Sequence, residues 1–86
     1  MKAIYKYKLE PQDEQILPLR GPVLSAGVQG DDIMVWAVHD DEMTPRKVRI
    51  STRGTGHALD GADDGQFIGT VLLGSLVFHI FANYAG

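Results

Sequence analysis

The sequence predicts an all-β domain, a small antiparallel sandwich or barrel of about six to seven short strands. Three observations carry that expectation. Apolar and polar residues alternate at period two from the first residues onward. Turn-forming Gly, Pro and Asp residues punctuate the chain at the short, regular spacing of small β domains. No segment keeps a helical period long enough to make a helix of ordinary length. The 86 residues suit one domain spanning the whole chain.

Each run can be justified in order. In residues 2–9, Ala3, Tyr5, Tyr7 and Leu9 share one face, expected to point inward, while Lys2, Lys6 and Lys8 lie on the other with Ile4. Lysines along an outer face also discourage edge-to-edge aggregation. Glu10 to Asp13 reads as a turn, and Glu14 to Leu19 as a short strand that Pro18 demotes to an edge or an irregular run. Val23 to Gln29 and Ile33 to His39 flank a hairpin connection at Gly30-Asp31-Asp32. Residues 33–38 are apolar on both faces, which demands a central position or a partner.

Arg46 to Arg53 follows the acidic loop from Asp40 to Pro45. Val48, Ile50 and Thr52 point one way; Lys47, Arg49, Ser51 and Arg53 point the other, an expected basic outer stripe. A polar loop from Asp60 to Gly65 precedes two further runs, Gln66–Leu73 and Ser75–Phe81, joined at Gly74. The one place for a helical turn is residues 57–65.

Composition excludes several classes. With 44% hydrophobic and 22% charged residues, the chain is not intrinsically disordered. With no cysteine, it has no disulfide, thiolate nucleophile or cysteine-bound metal, and it suits a reducing compartment. No secretory signal or membrane span is expected. A net charge of -3 argues against nucleic-acid binding. Burial worth about 130 kcal/mol is nearly cancelled by ordering the chain. Together with the two-faced apolar strands, this predicts a homo-oligomer, at least a dimer.

The candidate binding residues cluster in Thr52-Arg53-Gly54-Thr55-Gly56-His57. Two glycines one residue apart let a ligand approach the backbone and can aim successive N–H groups into an anion-binding concavity. Thr52, Thr55 and His57 add donors, and Arg53 adds a planar fork matched to phosphate. Arg49 extends the basic face, and Trp36 offers a stacking surface. The same six residues are also readable as a tight turn whose glycines supply positive φ and which His57 caps. His39, His57 and His79 have no metal-ligand spacing. Ser25, Ser51 and Ser75 lack the context of a catalytic nucleophile. The sequence therefore points to no catalytic residue, no metal and no cofactor.

The opening Met1-Lys2-Ala3-Ile4-Tyr5-Lys6-Tyr7, the Gly54-Thr55-Gly56-His57 turn and the closing Val77-Phe78-His79-Ile80-Phe81 carry a further signal. Val35-Trp36-Ala37-Val38 and Phe67-Ile68-Gly69-Thr70-Val71 belong with them. Together they resemble a family of small uncharacterised bacteriophage proteins along nearly the whole chain. Relatives often carry proline after the turn histidine, where this chain has Ala58, and end near the final phenylalanine, so that Ala82 to Gly86 is extra. The resemblance implies a phage protein in the cytoplasm of an infected bacterium. By analogy of context, it implies an anti-defence role: a sponge that sequesters a phosphorylated, nucleotide-type immune signal without chemistry. The alternative is a protein-binding inhibitor of a host defence system, or a small assembly or interaction protein.

Overall fold

The computed structural model describes residues 1–59 and 64–84. Seven strands run in chain order: β1 (Lys2–Lys8), β2 (Glu14–Leu19), β3 (Val23–Gln29), β4 (Asp32–Asp40), β5 (Arg46–Gly54), β6 (Gln66–Leu73) and β7 (Leu76–Asn83). They form two antiparallel sheets, ordered β1-β4-β3 and β2-β5-β7-β6, packed as a sandwich. The expected all-β architecture is therefore the observed one. Residues 57–59 are not helical, and the remainder of the anticipated turn lies mostly at 60–63, outside the described residues, as do residues 85–86.

Period-two alternation explains the core. Val35 and Ala37 of β4, Val48 and Ile50 of β5, Val71 of β6, and Ile80 and Ala82 of β7 all face between the sheets and are buried. Ile33 to His39, apolar on both faces, lies in β4, the central strand of its sheet, with Val35 and Ala37 buried on one face and Met34 buried and Trp36 and Val38 half-buried on the other. Tight hairpins join β3 to β4 and β6 to β7, with Gly30 (φ 61°) and Gly74 (φ 62°) taking the left-handed conformation that the turns require.

One expectation fails along β1. Leu9 is buried and Tyr7 is half-buried, but Ala3 and Tyr5, though on the same face of the sheet as Val35 and Ala37, are exposed. β1 is an edge strand, and only its C-terminal end lies over the core. Tyr5 is covered instead by His39, their rings stacked at 4.3 Å and 3°.

A close backbone approach sets one stability test. A Cβ on Gly21 would collide with the backbone carbonyl of Val38 in β4. Gly21→Ala should therefore push the β2–β3 connection off β4 and cost about 1–3 kcal/mol. Chemical denaturation measures this, and an unchanged midpoint would show that the two segments separate freely.

Candidate functional site

The predicted binding turn sits at the end of β5, in the four-stranded sheet. Its glycines are required by the chain itself. Gly56 has φ 89°, and a Cβ on Gly54 would lie 2.8 Å from Cε1 of the His57 ring, which folds back over it. The turn closes through the His57 N–H donating to the Gly54 carbonyl at 3.0 Å. It is tied to β7 by the Thr55 N–H, which donates to the Val77 carbonyl at 3.2 Å.

Arg53 does not belong to an exposed basic stripe. It is 8% exposed, and its guanidinium donates to Asp64 at 2.8 Å, to Glu14 at 3.1 Å and to the Asp13 carbonyl at 3.1 Å. Burial alone would lower its pKa, but hydrogen bonds to and the charges of Asp64 and Glu14 outweigh that and raise it above the usual arginine value. The reason sequence spacing misplaced it is tertiary. Alternation correctly put Arg53 on the outer face of β5, but Asp64 comes back over that face and is itself 2% exposed. Ser51 on the same face is fully buried, against the expectation of an open stripe. The fork expected to meet phosphate thus has two carboxylates already on it.

Around this ion cluster, Ser51 Oγ and Asp64 Oδ2 are buried with no hydrogen-bond partner among the described residues, as is Arg49 Nε farther along β5. Beside it runs a side-chain relay across three elements. Arg53 is in register with His79, which is in register with Thr70. His79 Nε2 lies 2.9 Å from Thr55 Oγ1, and its Nδ1 lies 3.0 Å from Thr70 Oγ1. A neutral imidazole has one ring N–H and one acceptor nitrogen, so one threonine hydroxyl accepts and the other donates. His79 is thus hydrogen-bonded on the outer face of the sheet and not in the core.

The other predicted residues are dispersed. Arg49 is half-buried and four positions before Arg53, roughly 13 Å along the strand. Thr52 points inward with Val48 and Ile50, with its N–H donating to the Asp13 carbonyl at 2.8 Å. Trp36 is on the other sheet altogether. It is half-buried on the outer face of β4, and a Cβ on neighbouring Gly27 would lie 3.1 Å from the edge of its ring. Alternation on one strand cannot report which of two sheets that strand joins.

What the turn does border is a cleft of ≈ 270 Å³. Gly54, Thr55 and His57 line one side; Ser75, Leu76, Val77 and Phe78, from the β6–β7 hairpin and β7, line the other. Sequence reasoning missed that second wall. Its only advance signal was the hairpin glycine Gly74, which brings the start of β7 back beside the turn. A groove of similar size lies between Gly21, Pro22, Met43 and Tyr84, but there Arg46 is already committed. It donates to the Tyr84 carbonyl at 2.7 Å and lies 5.9 Å from the centre of the Tyr84 ring.

Among the described residues, no helix is long and apolar enough to cross a membrane. A family model described as a domain of unknown function (DUF7352) matches residues 1–86. No match is found among curated proteins or solved structures.

Proposed function

The chain belongs to the family of the domain of unknown function DUF7352, and from that premise we propose that it is a non-catalytic binding protein that takes up a nucleotide-type ligand. The observation that carries this reading is the cleft beside the Gly54–His57 turn. Its polar wall holds the exposed His57 ring, and its apolar wall holds Leu76, Val77 and Phe78. A nucleotide has that division: a flat base that gains from apolar contact and an oxygen-rich end that seeks donors.

The roles differ from those the spacing implied. Arg53 acts as a positioning residue that fastens Asp64 and Glu14 to the outer face of β5. The ligand contacts fall to His57, Thr55 and the β7 side chains. The resemblance to small bacteriophage proteins supplies the setting, the cytoplasm of an infected bacterium, where removal of an immune signal would protect the phage. A second reading, a protein-binding inhibitor or interaction protein working as a homo-oligomer, is favoured by a different observation. Ile16, Phe67, Leu72 and Leu76 are all more than half exposed, and all four belong to the four-stranded sheet.

The discriminating experiment incubates the protein with cyclic mononucleotides, cyclic dinucleotides and ADP-ribose derivatives, then releases bound material by heat. Recovery of one compound intact is the expected result. Its destruction would indicate an enzyme, and no depletion of any compound would favour protein binding. For the compound retained, His57→Ala and Leu76→Glu, both at exposed positions, should each weaken uptake at least about tenfold. Retention unchanged in both variants would place the ligand elsewhere.

A further inference from the structure

Each sheet has two edge strands: β3 and β6 pack against each other, and the chain treats the remaining two, β1 and β2, differently. Asp13 accepts from the Thr52 N–H, and the register continues as Glu14↔Ser51 and Gln15↔Ile50. In an antiparallel ladder alternate residues turn both backbone groups to the same side. Glu14, Ile16 and Pro18 therefore face the free edge of β2. Pro18 has no N–H, so this edge is blocked at the position where an added strand would need a donor.

β1 carries no such block. The Leu9 N–H donates to the Ile33 carbonyl at 2.9 Å, and the Asp41 N–H donates to the Met1 carbonyl at 3.4 Å. With the intervening register of Lys2↔Asp40 to Lys8↔Met34, the odd-numbered residues exchange bonds with β4. Lys2, Ile4, Lys6 and Lys8 thus direct their N–H and C=O groups to the free edge. Six of the seven side chains of β1 are exposed, Ile4 at 64%. The strand holds three of the chain's eight basic residues and no acidic one.

The lysines decide what can dock. Pairing β1 with β1 of a second copy sets Lys2 against Lys8, Lys2 against Lys6, or Lys6 against Lys6 in the central antiparallel registers. Like charges directly opposite destabilise a strand pair. An acidic strand meets no such penalty. Lys6 Nζ now donates to Gln29 Oε1 at 2.8 Å, and Lys8 Nζ lies 3.8 Å from Asp32 Oδ1. Both contacts are exposed and readily exchanged for a partner's carboxylates. We propose that the free edge of β1 docks an extended acidic segment of another protein by strand addition. That segment carries Asp or Glu at alternate positions opposite Lys2, Lys6 and Lys8, and an apolar residue opposite Ile4. This surface is independent of the cleft beside the turn.

The probe is a synthetic peptide as long as β1, with glutamate at alternate positions around one isoleucine. Fluorescence anisotropy should detect binding below about 1 mM, weakening as salt is raised. The lysine counterpart should not bind. N-methylation on the residues facing β1 should abolish binding, and N-methylation on the intervening residues should leave it unchanged. On the protein, Ile4→Pro removes one free-edge N–H without touching the β1–β4 ladder and should weaken binding at least about tenfold. Replacing Lys2, Lys6 and Lys8 by glutamate should transfer preference to the lysine peptide. No binding, equal binding of both peptides, or indifference to the position of N-methylation would overturn the proposal. The N-methyl comparison leaves the protein unaltered, so a poorly folded variant cannot obscure the answer.

Discussion

Arg53→Ala is expected to destabilise the fold by about 3–5 kcal/mol, because removing one partner of a buried ion pair leaves the other charge uncompensated. Asp64 is 2% exposed and would be left beside a cavity with its carboxylate unpaired. At about 4–8 °C per kcal/mol for a domain of this size, the melting temperature should fall by at least about 12 °C. Glu14, on the same guanidinium but 47% exposed in its side chain, has water in reach. Glu14→Gln should cost no more than about 1 kcal/mol. Urea denaturation of the two variants side by side tests the assignment. A loss below about 1 kcal/mol for Arg53→Ala would mean the cluster is solvated and the guanidinium free for a ligand. The binding reading makes the complementary demand that ligand loss in Arg53→Ala follow the loss of folded protein.

Ile50→Ala should cost about 2–5 kcal/mol, while Ile16→Ala should change stability by less than about 0.5 kcal/mol. Both isoleucines lie on the adjacent strands β5 and β2, yet Ile50 is fully buried and Ile16 is 54% exposed. Gln15 is in register with Ile50, and Ile16 with Arg49, so the two isoleucines face opposite sides of the sheet. Deleting buried methylenes removes transfer energy and leaves a cavity that a centrally packed strand cannot close. Equal costs at the two positions would mean a slip of one residue between β2 and β5, since such a slip exchanges inner and outer faces. Thermal and urea denaturation of the single variants suffice.

The two results also bear on function. If Arg53 is structural, the outer face of the four-stranded sheet offers a ligand polar atoms without a free cation from that residue. Recognition then depends on the exposed His57 and on the β7 wall of the cleft. A nucleotide held that way is gripped mainly through its base and hydroxyl groups, so affinity should depend only modestly on salt. Binding at the β1 edge is the opposite case, with charge in the lead. Salt dependence therefore separates the two surfaces in one titration series.

Several features were legible in the sequence because they depend only on neighbours along the chain. Alternation, apolar runs and the turn residues between them located all seven strands, and alternation assigned Val48 and Ile50 to the core. Pro18 marked an edge strand, since it cannot donate to a ladder. Gly30 and Gly74 marked hairpin turns, since other residues resist positive φ. The chemistry of Arg53 was not legible in this way. Its side of the strand follows from spacing, but its burial depends on Asp64, eleven residues away and beyond a turn. Likewise, Trp36 and Arg53 both stand on outer faces, and only the assignment of β4 and β5 to different sheets separates them. Local sequence determined the period, the turns and which face is apolar, because these are set by backbone sterics and by water's aversion to apolar surface. Tertiary structure decided which polar residues meet, because desolvation and pairing of charge depend on neighbours brought together only when the sheets close.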